Sequence, residues 1–377
     1  LGIREVRLTG GLVLDVPGRG PVSVPRPEDV ALVLHTSGTT GRPKRVPLSH
    51  ANLARSARNV ATSLGLTADD RCLNVMPLFH IHGIVAAILA TLSSGGSVVC
   101  TPGFDAFRFF GSLEASRATW YTAVPTMHQA IVARARAHLS TPASSSLRFV
   151  RSSSSPLPPS VMRDVEDLFG VPMVEAYGMT EASHQVCCNP LPPAVRKPGS
   201  VGVPSGVELR VVGPDGTSLR PGETGEVVIR GGSVTSGYES IDPADFTLPG
   251  GWLRTGDLGY LDDDGYLVLA GRIKELVNRG GEKISPREVE DVLITYPGVR
   301  EVVVFAVPHA KLGEDIAAAI VPEPADRPLD IAALRAFAGA QLAPFKVPRQ
   351  VVVVEAIPLG PTGKPQRLGM AGRLGLA

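Results

Sequence analysis

Short apolar runs alternate with amphipathic stretches along the first half of the chain. The run "DVALVLHT" at 29–36 is a strand candidate, and "SHANLARSARNVATSLGL" at 49–66 predicts a helix with Ser49 as its N-cap. An apolar helix candidate at 83–96 and strand candidates as far as "VPMVEAYG" at 171–178 continue the pattern. Strands that alternate with helices indicate βαβ units and a mainly parallel sheet.

The pattern changes from about Gly199. The runs "VELRVVG", "GEVVIRGG" and "GYLVLAG" are short strand candidates between Gly, Pro and Asp turns, which predicts a β-rich subdomain over about 199–271. After the junction "GRIKE", helix and strand candidates return over 276–377 as a smaller α+β unit. The predicted fold class is therefore α/β, with a large N-terminal domain at 1–271 that carries mainly parallel sheets and the β-rich subdomain.

Composition narrows the class of protein. A length of 377 residues, 44% of them apolar and 19% charged, predicts a globular chain of two or three domains. The net charge of +1 gives no bulk attraction to nucleic acid or to an anionic membrane. No apolar run approaches the roughly 18 residues of a membrane span. Four cysteines without CxxC spacing predict reduced thiols and a cytoplasmic location.

The segment "LVLHTSGTTGRPKRV" at 32–46 is the first candidate for chemistry. Its hydroxyls, backbone amides and glycines allow a phosphate group to approach closely, and Lys44 adds a mobile positive charge. No Walker A pattern can be written here, and a plain surface turn is the alternative. The candidate phosphate-binding residues are Thr36, Ser37, Gly38, Thr39, Thr40, Gly41 and Lys44.

The segment "YGMTE" follows a parallel-strand candidate, at the end of the strand where open α/β sheets bind ligands. Tyr177 is suited to stack on a base, Thr180 to donate to a phosphate and Glu181 to hold Mg²⁺. In "WLRTGDLG", Asp257 is expected on a tight turn, where a carboxylate can accept from two ribose hydroxyls. Lys364 lies alone on the Gly/Pro loop "LGPTGKPQR". Taken singly, each of these residues also fits an ordinary turn or surface position.

Together these segments resemble the adenylate-forming superfamily of acyl-CoA synthetases, luciferases and peptide-synthetase adenylation domains. The motifs "TSGTTGRPK", "PLFHIHG", "YGMTE", "TGDLG", "GRIKELVNRGGEKISP" and "PTGK" occur in the family's order between Asp29 and Arg367. The resemblance implies an AMP-forming acid–thiol ligase that uses ATP, Mg²⁺ and coenzyme A. An acid would attack the α-phosphate of ATP, and a thiol would then take the acyl group from the adenylate.

The resemblance also implies a role for individual residues. Lys364 matches the catalytic lysine, with Thr180 and Glu181 beside the phosphates and Glu181 as the Mg²⁺ ligand. Asp257 matches the ribose ligand and Arg272 a ribose or phosphate contact. Three further matches lie elsewhere in the chain: His80 in the acyl site, Lys274 at the hinge of 272–275 about which a mobile small domain at 276–377 turns, and Gly281 beside the pantetheine arm.

The region expected around the acid is rich in polar donors. The serine-rich "RSSSS" and the histidines of "PLFHIHG" and "EASHQ" suit a short acid with a second polar or charged end better than a fatty chain. These segments resemble the oxalate–CoA ligase branch, which makes Ser152, Ser154, His80 and His184 the substrate candidates. Two departures are "RSSSSPL" in place of "RSCSASL", and "CC" before "NPLPP". Oxalate is the leading substrate, with malonate or another short acid as the alternative.

Two other functions stay open at this point. The acyl group of the adenylate could pass to a carrier-protein thiol or another nucleophile, or the chain could be a catalytically silent homologue. Only 34 residues precede His35, whereas family members usually carry well over about a hundred before the phosphate loop. We therefore expect either a fragment of a longer chain or a truncated relative. No nucleic-acid or membrane partner is predicted.

Overall fold

The computed structural model describes residues 24–36, 44–138, 146–239, 241–323, 328–359 and 365–376. Its α-helices are α1 His50–Ser63, α2 Ala90–Ser93, α3 Phe109–Ser116, α4 Pro125–His138, α5 Pro159–Phe169, α6 Pro286–Leu293, α7 Ile331–Gly339 and α8 Met370–Arg373. A π-helix spans His82–Leu89, and 3₁₀ turns span Thr180–Ala182, Pro243–Asp245, Ile273–Glu275 and Pro344–Lys346.

The strands, in chain order, are β1 Val30–Thr36, β2 Lys44–Ser49, β3 Arg71–Asn74, β4 Ser97–Cys100, β5 Trp120–Ala123, β6 Phe149–Ser153, β7 Met173–Met179, β8 His184–Cys188, β9 Val203–Pro204, β10 Glu208–Val212, β11 Gly225–Arg230, β12 Thr247–Leu248, β13 Trp252–Leu261, β14 Leu267–Arg272, β15 Val277–Arg279, β16 Glu282–Ile284, β17 Val299–His309, β18 Gly313–Pro322 and β19 Gln350–Val353.

A seven-stranded sheet forms the centre of the N-terminal part, in the order β4-β3-β5-β6-β7-β8-β9. The strands from β4 to β7 are parallel, and β8 and β9 run antiparallel. Helices α3, α4 and α5 pack on one face, whereas α1, α2 and the π-helix pack on the other. Helices on both faces bury both sides of the strands, which explains their nearly continuous apolar sequence. The predicted mainly parallel sheet is confirmed.

The strand predicted at 29–36 forms, but it does not join this sheet. It is β1, which pairs antiparallel with β2 as a separate two-stranded sheet, with Thr36 opposite Lys44. Val46 and Leu48 of β2 pack against the start of the π-helix. The periodicity of a strand reports which face is buried but not which strand is its neighbour, so the prediction of an unbroken βαβ series was wrong here.

Two smaller sheets follow. The first has the order β10-β11-β13-β12, with β14 paired to β13, and all its pairs are antiparallel. The second has the order β16-β15-β18-β17, with β19 parallel to β18, and helices α6 and α7 pack against it. A β-rich unit and an α+β unit therefore follow the large sheet, as predicted. The domain boundaries themselves stay predictions.

Helix α1 begins where its sequence predicts. Ser49 Oγ accepts from the Asn52 amide at 3.1 Å, and the Asn52 side chain accepts from the Ser49 amide at 3.0 Å, which forms a capping box. The predicted apolar helix at 83–96 is shorter than expected and consists of the π-helix followed by α2. In the part of the chain that the structure describes, no helix has the length and apolar character to cross a membrane.

Glu175 is a charged residue buried inside β7. It is 1% exposed, and its Oε1 accepts from the Leu157 amide at 3.1 Å. Burial raises the pKa of Glu175 from 4.5 to about 7, against the opposing effect of the Arg287 guanidinium. The folded protein therefore holds a proton that the unfolded chain has released, so stability falls as the pH rises from 4.5 to about 7.

Replacement of this carboxyl by an amide tests that assignment. Glu175→Gln keeps an acceptor for Leu157 and is expected to stabilise the protein by roughly 3 kcal/mol near pH 8 but by less than about 1 kcal/mol near pH 5. Urea unfolding at the two pH values measures the difference. The exposed Glu282→Gln is the control, with the same small effect at both. Equal stabilisation by Glu175→Gln at both pH values would contradict the assignment.

Candidate active site

The hairpin of β7 and β8 carries four of the predicted site residues within a short stretch. Tyr177 lies near the end of β7, Thr180 and Glu181 form the 3₁₀ turn, and His184 begins β8. The turn lies at the carboxyl edge of the parallel strands, where open α/β sheets bind ligands. Gly178 is required here, because a Cβ at this position would lie 1.6 Å from the carbonyl oxygen of His184.

Asp257 lies between two residues that the sequence assigns to the same ligand. Its carboxylate accepts from the Tyr177 hydroxyl through one oxygen and pairs with Arg272 Nε at 2.7 Å through the other. Asp257 is 4% exposed and lies opposite Arg272 in the register of β13 and β14. Burial and the Asp257 carboxylate raise the pKa of Tyr177 well above its usual value, so its hydroxyl stays a donor.

The predicted turn at Asp257 was wrong in one respect. Asp257 lies inside β13, a strand of ten residues, rather than on a tight turn. The glycines of "TGDLG" fit an irregular strand, because Gly256 has a φ of +71° and the register with β14 shifts between Leu258 and Gly259. A bulge of this kind re-aims a side chain without ending the strand.

Glu181 is linked to Lys44 through an aromatic residue. The Tyr238 hydroxyl donates to Glu181 Oε1 at 2.7 Å, and Lys44 Nζ lies 4.4 Å from the centroid of the Tyr238 ring. Glu181 is 7% exposed, and its own carbonyl accepts from the Thr235 amide at 2.7 Å. Tyr238 therefore fixes the carboxylate and holds the lysine nearby. Sequence reasoning missed Tyr238, whose only signal is a tyrosine in the Gly/Ser-rich segment "GGSVTSGY".

The predicted phosphate loop is described only at its two ends. Thr36 ends β1 and Lys44 begins β2, so the pairing of these strands brings the two ends of the loop together. The predictions for Ser37, Gly38, Thr39, Thr40 and Gly41 lie outside the described residues, as does that for Lys364.

The predicted acid-site histidines lie beside one another. The rings of His82 and His184 stack with centroids 4.9 Å apart, and His80 lies 6.5 Å from His82. His82 Nδ1 lies 3.1 Å from Ser154 Oγ. Ser154 and His184 both have positive φ, at 74° and 109°. Backbone strain of this kind is concentrated at functional sites.

Arg151 joins this group, and sequence reasoning missed it. It lies in β6 with no exposed surface, and its guanidinium reaches His82 Nε2 at 3.3 Å and His184 Nε2 at 3.0 Å. A second pair of bonds runs to Thr122 Oγ1 at 3.2 Å and Gln185 Oε1 at 2.9 Å. The available signal was a charge inside a strand that is otherwise apolar, in "SLRFV" followed by "RSSSS".

The remaining predicted residues are Ser152, Lys274 and Gly281. Ser152 is buried on β6, and the alternation of the strand directs it to the face opposite to that of Arg151. Lys274 is exposed on the 3₁₀ turn Ile273–Glu275. Gly281 lies in the two-residue turn between β15 and β16, with a φ of +100° that favours glycine. The roles of all three stay predictions.

Comparison with known proteins identifies the family of the chain. The family model described as "AMP-binding enzyme" matches residues 7–239, and the model described as "AMP-binding enzyme C-terminal domain" matches residues 288–364. The first match alone covers more than half of the chain. It includes the phosphate loop, the Glu181 turn and Tyr238, whereas the second ends at Lys364.

Curated relatives and solved structures agree with the family match. The chain is 47% identical to "Probable CoA ligase CCL9" of Humulus lupulus over 90% of its own length and 65% of the relative's. It is 46% identical to "Oxalate--CoA ligase" of Arabidopsis thaliana, with coverages of 91% and 67%. A crystal structure of ATP-bound MatB from Rhodopseudomonas palustris matches with a TM-score of 0.84 and 33% identity, and covers 92% of this chain and 69% of that one. The chain thus spans about two thirds of the length of the curated relatives it matches.

Proposed function

The chain belongs to the AMP-binding enzyme family, and from this premise we propose that it is an AMP-forming ligase that joins a small carboxylic acid to coenzyme A. In the first half-reaction an oxygen of the acid carboxylate bonds to the α-phosphorus of ATP, and pyrophosphate leaves. In the second half-reaction the thiol of coenzyme A bonds to the acyl carbon, AMP leaves and the thiol proton is released. One observation carries the proposal: Tyr177, Asp257 and Arg272, far apart in sequence, are held together beside the Glu181 turn.

The nucleotide would be held at two places. Lys44 and the segment from Thr36 to Gly41 would hold the β- and γ-phosphates, since backbone amides and a lysine suit that charge. Asp257 and Arg272 would hold the ribose, and the Tyr177 ring would lie against the base. Charged groups already in position before ATP arrives need no rearrangement as negative charge develops at the α-phosphate.

Glu181 fits Mg²⁺ as a partner of bound phosphates. Across the described ranges, no group of three or more His, Cys, Asp and Glu side chains could hold a metal ion by itself. Mg²⁺ normally keeps several waters and takes one or two carboxylates together with substrate phosphates, so a single carboxylate held in place is the expected donor set. Bound Mg²⁺ would neutralise phosphate charge, and the contribution of this chain is to orient Glu181 through Tyr238.

Loss of the Tyr238 hydroxyl should weaken that orientation. Tyr238→Phe is expected to raise the Mg²⁺ concentration for half-maximal pyrophosphate release by roughly tenfold, because a hydrogen bond to a charged group is lost. Titration of activity with Mg²⁺ at saturating ATP measures the shift. Tyr266→Phe removes a hydroxyl that donates to the Val195 carbonyl at 2.6 Å and is the matched control. Identical Mg²⁺ titrations for the two variants would argue against the role of Tyr238.

Lys364 is proposed as the catalytic lysine of the first half-reaction alone. Lys364→Ala is expected to lower pyrophosphate release from ATP by roughly 100-fold or more, because the positive charge that meets the developing phosphate charge is lost. Thioester formation from supplied acyl-adenylate should stay within about threefold of wild type, since no phosphate bond to ATP breaks in that step. Lys311→Ala, an exposed lysine of the same unit, is the control. Equal losses in both half-reactions would refute the assignment.

The second half-reaction is assigned to the C-terminal unit. Lys274 lies on the 3₁₀ turn directly after β14 and is proposed as the hinge, while Gly281 would leave room for the pantetheine arm in the turn of β15 and β16. Domain closure about such a hinge is a known way to run two reactions in one site. Coenzyme A is the proposed acceptor, in preference to a carrier-protein thiol.

Oxalate is the proposed acid. The polar character of the acid end of the site supports it, because a cluster of His80, His82, Ser154 and His184 suits a short acid with a second polar end better than an apolar chain. Likeness to the oxalate–CoA ligase of Arabidopsis thaliana supports the same choice. Malonate, slightly longer and with the same two charges, is the alternative.

Acid-dependent pyrophosphate release from ATP tests the proposal directly. Oxalate, malonate, acetate, benzoate and octanoate are compared with and without coenzyme A, and thioester is followed by mass. We expect release with oxalate and thioester only when coenzyme A is added. Pyrophosphate release with malonate and with no other acid would make malonate the substrate in place of oxalate. Formation of adenylate without thioester would indicate an acceptor other than coenzyme A. No release with any acid from a protein that still binds ATP would overturn the proposal in favour of a silent homologue.

A further inference from the structure

Arg151 is a buried cation whose neighbours are all neutral. Its guanidinium bonds to two imidazoles, one hydroxyl and one amide, at distances of 2.9–3.3 Å. Among the described residues no carboxylate forms an ion pair with it, and the charged form is opposed by burial, which lowers the pKa of Arg151. Its Nε has no hydrogen-bond partner among the described residues, and the guanidinium also interacts with the neutral Cys188 thiol. A buried charge without a counter-ion is strongly unfavourable, so this arrangement calls for an explanation.

Arg279 shows what a structural arginine in the same chain looks like. It is also buried, at 8% exposed, and its Nε pairs with the Asp315 carboxylate at 2.6 Å. The Arg279 charge is therefore neutralised inside the protein, whereas that of Arg151 is not. A positive charge that the fold leaves uncompensated at a ligand-binding edge of a sheet indicates an anionic ligand.

A chain of hydrogen bonds carries the effect of Arg151 towards the accessible part of the site. An arginine only donates, so its bonds to the Nε2 atoms of His82 and His184 require the tautomers with the ring proton on Nδ1. Thr122 Oγ1 lies 2.6 Å from the same His82 Nε2 and donates to it in that tautomer. His82 Nδ1–H then donates to Ser154 Oγ at 3.1 Å. Ser154 is half-buried, and because its oxygen accepts from His82, its own O–H is left to donate to another group. The Nδ1–H of His82 and the O–H of Ser154 are therefore directed away from the guanidinium.

We infer that Arg151 is the residue that makes the acid site select substrates with a second anionic group. It acts as a positioning residue: it supplies positive potential to the acid site and orients His82 as a donor to Ser154, which leaves the Ser154 O–H to donate to the acid. A second carboxylate or a sulfonate would supply the missing negative charge, whereas a neutral end of the same size would not. This inference rests on the proposed function, because it concerns the acid-binding part of the same site.

Matched acids that differ only in the second charge test the inference. Oxalate is compared with its monoamide oxamate, and malonate with malonamate, by titration calorimetry in the presence of a non-hydrolysable ATP analogue. Wild type should bind the better dianion of the two roughly tenfold or more tightly than its monoamide, as for one charge-assisted interaction. This preference should fall to about twofold or less in Arg151→Gln and Arg151→Met, and Arg151→Lys should keep most of it.

Two controls separate selectivity from damage to the fold. Arg136→Gln removes an exposed positive charge, paired with Asp164 at 2.6 Å, and should leave the preference unchanged. Affinity for the ATP analogue should be the same in all variants. A wild-type preference close to one, undetectable binding of both dianions, or an unchanged preference in Arg151→Gln would each overturn the inference. If the Arg151 variants do not fold, a wild-type ratio close to one still overturns the inference.

The same protein samples distinguish this inference from the proposed function. Pyrophosphate and thioester are measured in parallel with binding. If the protein prefers dianions through Arg151 but turns over no acid, the inference is supported and the proposed ligase function is contradicted. Turnover of an acid whose monoamide works equally well would support the ligase and overturn the inference.

Discussion

Glu181→Gln is expected to lower acid-dependent pyrophosphate release by more than roughly 100-fold at physiological Mg²⁺. The substitution keeps the size of the side chain and an oxygen that can accept from the Tyr238 hydroxyl, so the turn between β7 and β8 keeps its shape. It removes the negative charge that a hard divalent cation requires from its protein ligand. Because Mg²⁺ neutralises phosphate charge, its loss affects the chemical step as well as binding.

The control for this variant removes the same charge close by. Glu239→Gln breaks an exposed pair with Arg45, at 2.7 Å, and is expected to change the rate by less than about twofold. Pyrophosphate release is measured over a range of Mg²⁺ concentrations, and excess Mg²⁺ should restore part of the activity of Glu181→Gln. Release that matches wild type at every Mg²⁺ concentration would remove Glu181 from the metal site.

Asp257→Asn is expected to weaken ATP binding by roughly 100-fold or more. The Asp257 carboxylate receives two donors, the Tyr177 hydroxyl and Arg272 Nε, one on each oxygen, whereas an amide has a single acceptor oxygen and must turn its NH₂ towards the other donor. A bond to a charged group contributes about 1.5–3 kcal/mol, so the substitution loses one such bond, and the ionic attraction to Arg272, in addition to any contact with ribose. Calorimetry with ATP gives the dissociation constant directly.

A neighbouring aspartate supplies the control for this second variant. Asp262→Asn lies just beyond β13 and loses a partly exposed pair with Lys197, at 2.5 Å. It should bind ATP as wild type does, and both variants should unfold within a few degrees of wild type. Equal ATP affinities for Asp257→Asn and Asp262→Asn would show that Asp257 is not a nucleotide ligand.

The residues that sequence identified most accurately are those whose chemistry is carried by a short contiguous motif. Tyr177 lies near the end of β7 and Thr180 and Glu181 lie on the turn that follows, because "YGMTE" spans the end of a strand and a local pattern determines that geometry. The assignment of Asp257 and Arg272 to one nucleotide also came from motifs, whereas the strand register that brings the two residues opposite each other did not. Register depends on two segments at once, so neither motif reveals it alone.

The groups that sequence missed depend on contacts across long separations. Arg151 is 69 residues from His82 and 33 from His184. The segment "FVRSS" does not show that the guanidinium of Arg151 forms no ion pair with a carboxylate among the described residues. Tyr238 is 57 residues from Glu181, in a segment that resembles an ordinary loop. The pairing of β1 with β2 was missed for the same reason, because an apolar run predicts a strand but not the strand with which it pairs. Long-range pairings of this kind are decided by the whole fold.

The hairpin of β7 and β8 has a consequence for redesign of this site. Tyr177, Glu181 and His184 follow one another on a single backbone, and Gly178 fixes the two strands so closely that one added methyl group would collide with the His184 carbonyl. The hairpin therefore fixes the distance between the proposed nucleotide site at Tyr177 and Glu181 and the proposed acid site at His184. A change at one of these sites would shift the other. Substitutions that lengthen the accepted acid should therefore be made outside the hairpin, for example at His82 on the π-helix. Substitutions within the hairpin should weaken ATP binding more than they change which acid is accepted.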